Sequence, residues 1–137
     1  MSEENEILIS DVEEGTIEYQ DITYKIIGSC MEVHRSLGRG LLEVIYKDAL
    51  EHELRLTGIK YEREKNYNVV YKGYLLKHQF CADFVVEDKI ILEIKSCNHI
   101  IDEFIKQTLN YMAISQCKIG LLINFGEPSL NFKRLIL

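Results

Sequence analysis

Two acidic residues and a lysine lie close together in a strongly apolar part of the chain, where charged side chains are rare. Asp83 belongs to one predicted strand, and Glu93 and Lys95 interrupt the apolar strand that follows it. Side chains two residues apart on a strand point to the same face, so Glu93 and Lys95 share one. Burying a carboxylate and an ammonium is costly unless a partner compensates both charges. A divalent cation and a phosphate substrate would do so, which indicates phosphodiester hydrolysis.

The three side chains suit separate tasks in that chemistry. Mg²⁺ prefers oxygen ligands and is usually held by one or two carboxylates together with waters and phosphate. Asp83 and Glu93 could supply these carboxylates, and the backbone carbonyl of Ile94 is a candidate third contact. Lys95 can orient the attacking water or stabilise the charge that develops on the phosphate.

The two carboxylates meet only if the hairpin that joins their strands has the right register. A two-residue turn at Glu87 and Asp88 would place Asp83 and Glu93 on opposite faces. A three-residue loop, residues 87–89, would instead pair the two acids directly. We therefore predict a three- or five-residue loop, or a β-bulge, at this point of the chain.

The hydrophobic pattern predicts an α/β fold in the order α, α, β, β, β, α, β and a short last strand. This order is typical of a mixed sheet with helices packed on it. Asp21 or Thr23 could cap the first helix, Gly58 could end the second, and Lys72-Gly73 is a predicted turn. The predicted helices are Asp21–Leu37, Leu42–Leu56 and Ile100–Ser115, and the predicted strands are Tyr61–Tyr71, Tyr74–Val86, Lys89–Lys95, Lys118–Asn124 and Asn131–Leu137.

Two of the predicted helices carry further candidate site residues. Glu43 lies at the start of the second helix, where a carboxylate suits the positive end of the helix dipole. Gln107 and Tyr111 are four residues apart on the third helix and so lie on one side of it. Gln107 could bind the attacking water or a phosphate, whereas Tyr46 and Tyr111 could equally be core aromatics with a hydrogen-bonded hydroxyl.

Composition favours one soluble, cytoplasmic domain with an acidic start. The chain has 137 residues and a formal net charge of −6, and its first 21 residues hold eight acidic residues and no lysine or arginine. The remaining residues hold 14 acidic and 16 basic side chains. We therefore expect residues 1–21 to be a peripheral or partly disordered segment and residues 22–137 to form one domain.

Neither a secretion signal nor a zinc motif is visible. The N-terminus lacks a basic region before an apolar run, which argues against a signal peptide. No C-x-x-C pair occurs, so we expect the cysteines to be reduced thiols that act as small hydrophobes. The four cysteines are Cys30, Cys81, Cys97 and Cys117.

Five segments in order resemble the GxxExxY proteins, a family of the PD-(D/E)XK nuclease superfamily. Any one of these motifs is weak, whereas five in order with suitable spacing indicate membership. The resemblance covers about Ile22 to Leu137. The segments are Gly40–Tyr46 (GLLEVIY), Ala82-Asp83, Glu93-Ile94-Lys95, Gln107–Tyr111 (QTLNY) and Gly120–Gly126 (GLLINFG).

The resemblance implies a restriction-endonuclease-like core, with a central sheet flanked by helices and a site where the sheet forks. It implies that Asp83 and Glu93 bind Mg²⁺ or Mn²⁺ and that Lys95 is catalytic. One departure is Ala82, which stands where many members have proline, at a position that is permissive in the superfamily.

The resemblance also assigns roles to the helical residues. Glu43 looks like the additional N-terminal acid of some superfamily exonucleases, which would make it a further metal ligand. Gln107 and Tyr111 look like the QxxxY motif of those enzymes, which contacts DNA or the site. Tyr46 is the tyrosine of the GxxExxY signature.

Several interpretations remain open at this point. The favoured one is a metal-dependent nuclease that acts on DNA, and the alternative is a non-catalytic nucleic-acid-binding or partner-docking module with the same fold. Cleavage of RNA or of a nucleotide-like small molecule is a third, and a homodimer is conceivable. Taken alone, Glu93 and Lys95 could also be a solvated, ion-paired face of an edge strand.

Overall fold

The apolar runs of the sequence form the middle of a five-stranded sheet. A computed structural model describes residues 14–137, and the side chains of residues 19–137. Its elements are α1 (Glu14–Leu37), α2 (Glu43–Thr57), β1 (Tyr61–Tyr67), β2 (Val70–Tyr71), β3 (Tyr74–Leu75), β4 (Phe80–Val86), β5 (Ile90–Lys95), α3 (Asp102–Ser115), β6 (Ile119–Asn124) and β7 (Asn131–Ile136).

The sheet is mixed, as the element order predicts. Its strand order is β1-β4-β5-β6-β7, and β2 and β3 form a separate two-stranded ribbon. Strands β5 and β6 are parallel and are joined through α3, whereas the other neighbouring pairs are antiparallel. The central strands β5 and β6 are buried on both faces, which explains why their sequences are nearly continuous apolar runs.

Helices cover both faces of the sheet. Helices α1 and α2 pack on one face, where Ile26, Tyr46 and Leu50 lie in the larger core with residues of β4 to β7. Helix α3 packs on the other face through Met112. A Cβ atom added at Gly120 would lie 2.6 Å from the Met112 Sδ, so the absence of a side chain there lets α3 approach β6 closely.

The first helix is longer than the sequence predicts. The cap expected at Asp21 or Thr23 does not exist, because α1 already begins at Glu14. The helix extends to the N-terminal side of Asp21, where Tyr19 packs against the core. The predicted domain boundary between residues 21 and 22 therefore falls inside a helix, and residues 1–13 lie outside the described part of the chain.

The strands predicted as Tyr61–Tyr71 and Tyr74–Val86 are each divided in two. Their outer parts, β2 and β3, pair with each other instead of joining the main sheet. The predicted turn between them is confirmed, since Lys72 and Gly73 both have positive φ angles, of 48° and 81°. In residues 14–137, no helix combines the length and apolar character needed to cross a membrane.

Asn124, the last residue of β6, holds the end of β5 in place. Its Oδ1 accepts hydrogen bonds from the N–H groups of Cys97 and Gly126, both at 3.0 Å. Its Nδ2 donates to the Cys97 carbonyl at 3.0 Å and to Glu127 Oε2 at 2.7 Å. A Cβ atom at Gly126 would clash with the Cys97 backbone, so only glycine fits this contact. These bonds fix the chain two residues after Lys95.

We expect Asn124→Ala to destabilise the protein by roughly 2–4 kcal/mol, because it leaves the half-buried Cys97 backbone groups without their protein partners. Urea unfolding followed by circular dichroism measures the change. Asn110→Ala, at an exposed position of α3, is the matched control and should change stability by about 0.5 kcal/mol or less. Equal unfolding midpoints for the two variants would contradict this role of Asn124.

Candidate functional site

The hairpin between β4 and β5 has the register that brings the two acids together. Its loop is the three residues 87–89, as predicted, and Glu87 and Asp88 adopt positive φ angles of 53° and 56°. Continuing the register by one step places Asp83 opposite Glu93. The paired residues are Phe84 with Leu92, Val85 with Ile91 and Val86 with Ile90.

At the acid pair, side chains replace the backbone ladder. Regular pairing of β4 with β5 ends at Phe84 and Leu92. One step further, the Asp83 N–H donates to Glu93 Oε2 at 2.9 Å, and the Ile94 N–H donates to Asp83 Oδ2 at 2.8 Å. Because the N–H and C=O of a residue in an antiparallel strand face the same neighbour, the Ile94 carbonyl is also directed toward β4.

Glu93 is a buried carboxyl group in a central strand. Only 4% of its surface is exposed. Burial raises the pKa of Glu93 to about 8, and the negative charge of Asp83 raises it as well, whereas the bond from the Asp83 N–H and the charges of Lys95 and Lys47 lower it. The acid pair therefore retains a proton near neutral pH. The interpretation of Glu93 as part of a solvated edge strand is wrong, because β5 lies inside the sheet.

Lys47 is a neighbour of the acid pair that sequence reasoning did not select. Its ammonium lies 3.2 Å from Asp83 Oδ1 and 3.0 Å from Glu64 Oε1, and its side chain is 14% exposed. Burial lowers the pKa of Lys47, but the bonds and charges of Glu64 and Asp83 outweigh it, so the pKa is raised overall. The sequence held one indication of this position: Lys47 lies one turn after the candidate site residue Glu43 on α2 and so shares its helix face.

Lys95 ends β5 and shares the face of Glu93. It is half-buried, and its ammonium lies 4.6 Å from the centroid of the Phe104 ring of α3. Within residues 14–137 its ammonium forms no ion pair. The ring holds the charge in place without using its N–H donors, which therefore remain able to bind a substrate.

Helix α3 presents one face to this region. Phe104, Gln107 and Tyr111 are spaced by three and four residues and lie on a common side. Burial raises the pKa of the Tyr111 hydroxyl, the charges of Glu93 and Asp83 raise it further, and a hydrogen bond with Gln107 opposes them. Tyr111 therefore lies close enough to the acid pair to feel its charge, and Gln107 is bonded to Tyr111.

Glu43 does not join the two acids in a common cluster. It is exposed at the start of α2 and lies near Cys97, whose pKa burial raises and the charge of Glu43 raises further. In the described residues 14–137, no three His, Cys, Asp or Glu side chains lie together in a way that could hold a metal ion. The cation that reaches Asp83 from α2 is Lys47.

Tyr46 is a core residue with a fully used hydroxyl. Its ring is fully buried and stacks on Phe125 with centroids 4.5 Å apart. The hydroxyl donates to the Gly38 carbonyl at 2.6 Å and accepts from the Leu41 N–H at 3.1 Å. This arrangement favours the packing interpretation, in which Tyr46 shapes the loop before α2.

Comparison with known families decides where this arrangement belongs. A family profile described as the PD-(D/E)XK nuclease superfamily matches residues 20–135. The chain belongs to the PD-(D/E)XK nuclease superfamily. The predicted superfamily and its restriction-endonuclease-like fold are therefore confirmed, and the narrower assignment to the GxxExxY proteins stays a prediction.

A solved structure supports the fold independently. The chain resembles the crystal structure of SSO0001 with a TM-score of 0.55 and 17% sequence identity, over 89% of this chain and 62% of that one. This likeness concerns the fold alone, and the chain spans less than two thirds of SSO0001. No curated protein is similar enough to this chain to count as a relative.

The acid pair fits the divalent metal that PD-(D/E)XK nucleases generally use. Two carboxyl groups meet where the ladder ends, and strand geometry directs the Ile94 carbonyl toward β4 at the same step. Mg²⁺ usually needs only one or two carboxylates from a protein, since water and phosphate complete its octahedron. A divalent cation would also offset the repulsion between the two carboxylates. Asp83 and Glu93 are the residues that would hold it.

We expect the metal-free protein to lose stability as pH rises from about 4.5 to about 8. The folded chain keeps the Glu93 proton up to about pH 8, whereas the unfolded chain releases it near the ordinary value of 4.5. Because the folded state binds more protons in this window, a rise in pH favours unfolding. Glu93→Gln removes this dependence. Its free energy of unfolding relative to wild type should therefore rise by on the order of a few kcal/mol as the pH rises from 5 to 8.

Urea unfolding in EDTA at several pH values measures this difference. Glu103→Gln, an exposed position in the first turn of α3, is the control and should follow the wild-type profile. A Glu93→Gln profile parallel to wild type would show that the carboxyl is ionised at neutral pH in the folded protein, against our expectation.

Proposed function

We propose that this chain is a nuclease that depends on Mg²⁺ or Mn²⁺ and hydrolyses phosphodiester bonds in DNA. The observation that carries the proposal is that the Glu93 carboxylate accepts a bond from the Asp83 N–H and the Asp83 carboxylate accepts one from the Ile94 N–H, with Lys95 on the same strand face as Glu93. Two adjacent carboxyl groups, of which Glu93 is buried, are an unfavourable structural element, and a cation-dependent reaction accounts for them.

The candidate site residues have different roles around the phosphate. Asp83 and Glu93 would hold the divalent cation, which would supply positive charge to the phosphoryl oxygens and favour ionisation of the attacking water. Lys95 donates hydrogen bonds to that water or to the phosphate, from a position fixed by Phe104. Gln107, exposed on α3, contacts the substrate on the same side.

The choice of DNA rests on charge and on the superfamily. The chain after residue 21 carries 16 basic and 14 acidic side chains, so most of its acidity lies in the first 21 residues. A mildly basic body suits a polyanion, and the nuclease superfamily indicates a nucleic acid partner. The rates at which the protein cuts DNA and RNA strands of the same sequence test the finer choice.

One observation favours a second candidate, a non-catalytic nucleic-acid-binding module. The Lys47 ammonium already neutralises Asp83 and bridges it to Glu64. A protein that had given up its metal could keep its fold by this ion pair. In that case DNA binding would depend on salt but would not change on Glu93→Gln.

A cleavage assay distinguishes the two candidates. We expect the full chain to cut labelled DNA with Mg²⁺ or Mn²⁺ but not with EDTA. Glu93→Gln and Lys95→Ala should each reduce the rate by roughly 10²-fold or more, because each removes a group that acts on the reacting phosphate. Lys89→Ala is the matched control: this exposed lysine lies in the loop at the opposite end of the hairpin.

Each possible result of this cleavage assay supports a different conclusion. Wild-type cleavage that persists in both site variants would place the chemistry elsewhere, and DNA binding without cleavage under either metal would favour the second candidate. Faster cutting of an RNA strand of the same sequence would reassign the substrate.

A further inference from the structure

A two-stranded ribbon, β2 and β3, lies in the chain between the neighbouring strands β1 and β4 of the main sheet. We define the β2–β3 hairpin as residues 68–79, between the end of β1 and the start of β4. Tyr71 and Tyr74 are paired directly across its turn, and the Leu76 N–H donates to the Val69 carbonyl at 2.8 Å. The hairpin pairs with no other strand of the described residues.

This hairpin exposes an unusual amount of aromatic and apolar surface. Tyr74 is 76% exposed and Tyr71 is 57% exposed. Because the two tyrosines are cross-strand partners, their rings lie on one face of the hairpin, and the exposed pair Val70 and Leu75 lies on the other. A two-stranded ribbon is marginally stable by itself, so a bound partner would stabilise it.

The charge of the hairpin indicates what kind of partner fits. Residues 65–82 contain three lysines and a histidine but no acidic residue, in a chain whose net charge is −6. The Lys72 ammonium lies 5.4 Å from the Tyr71 ring centroid. Aromatic rings interleaved with cations are the combination by which proteins bind single-stranded nucleic acids, through base stacking and phosphate contacts.

A second copy of the chain fits the hairpin less well. A two-fold interface would bring the same surface patch of each copy together. It would therefore bring Lys72 and Lys77 of both hairpins into one interface, with no acidic residue of the hairpin to balance them. Like charges that face each other are destabilising.

The hairpin is continuous with the acid pair. Its two ends adjoin Tyr67 of β1 and Phe80 of β4, whose rings stack with centroids 5.0 Å apart. Phe80 also stacks on Tyr111 of α3 at 4.6 Å. Along β4, Asp83 follows Phe80 by three residues, or about 10 Å of strand. The stacked rings therefore connect the base of the hairpin to the site.

We propose that the β2–β3 hairpin binds single-stranded DNA. Bases stack on Tyr71 and Tyr74, Lys72 and Lys77 contact the phosphates, and the strand passes from the hairpin toward Asp83. The choice of DNA rests on the proposed function, whereas the stacking surface itself rests on the exposed rings and the charge of the hairpin.

The test measures binding apart from cleavage. Fluorescence anisotropy of a labelled oligothymidine is recorded with the full-length chain in EDTA, where metal-dependent cutting cannot occur. Tyr74→Ala should weaken binding by roughly 5- to 100-fold, since loss of one stacked base has an effect of that size. Tyr74→Phe keeps the ring and should bind like wild type.

Tyr24→Ala is the matched control. Tyr24 is 76% exposed, as Tyr74 is, but lies on α1, so its loss should leave the affinity unchanged. Circular dichroism of each variant checks that the fold is intact.

Four results would overturn the inference: no binding by wild type, equal affinity of wild type and Tyr74→Ala, tighter binding of oligouridine than of oligothymidine, or a wild-type dimer in sedimentation that Tyr74→Ala dissociates. Failure of the proposed function looks different. In that case the oligothymidine binds through Tyr74 but is never cut with Mg²⁺ or Mn²⁺. If only the hairpin inference fails, wild type and Tyr74→Ala cut the oligothymidine at equal rates.

Discussion

The electrostatic repulsion between Asp83 and Glu93 is the constraint on which the rest of this structure depends. A sheet would ordinarily continue its backbone ladder at this step, but here each carboxylate accepts a backbone N–H from the opposite strand. Those bonds hold the two groups together, while burial of Glu93 leaves their charges poorly compensated. A proton, the Lys47 ammonium and, in our account, a divalent cation are different ways to reduce the same repulsion.

Much of the surrounding fold keeps these groups at a fixed distance. The three-residue loop of the hairpin sets the register, and the Asn124 side chain fixes the chain just after Lys95. Helix α3 comes close to the sheet because Gly120 has no side chain, and it brings Phe104 to the Lys95 ammonium. The candidate catalytic residues are few, but their positions depend on packing in both layers of the molecule.

The sequence was most informative where a simple geometric rule applied. Strand alternation predicted that Glu93 and Lys95 share a face, and the parity of the register predicted a loop that lets Asp83 face Glu93. It was least informative where long-range contacts decide. Lys47 lies on a different element from Asp83, so local periodicity could not show that its ammonium reaches that carboxylate. The small hairpin around Lys72 was merged into longer strands, because propensity does not reveal which strands pair.

Calorimetric titration with Mn²⁺ tests the central claim most directly, because it needs no substrate. We predict that wild type binds Mn²⁺ and that Asp83→Asn, which keeps the size of the side chain but removes its charge, weakens binding by roughly tenfold or more. Asp102→Asn, at an exposed position of α3, should bind as wild type does. Equal Mn²⁺ affinity of wild type and Asp83→Asn, or no binding by wild type, would contradict the assignment of the acid pair as a metal site.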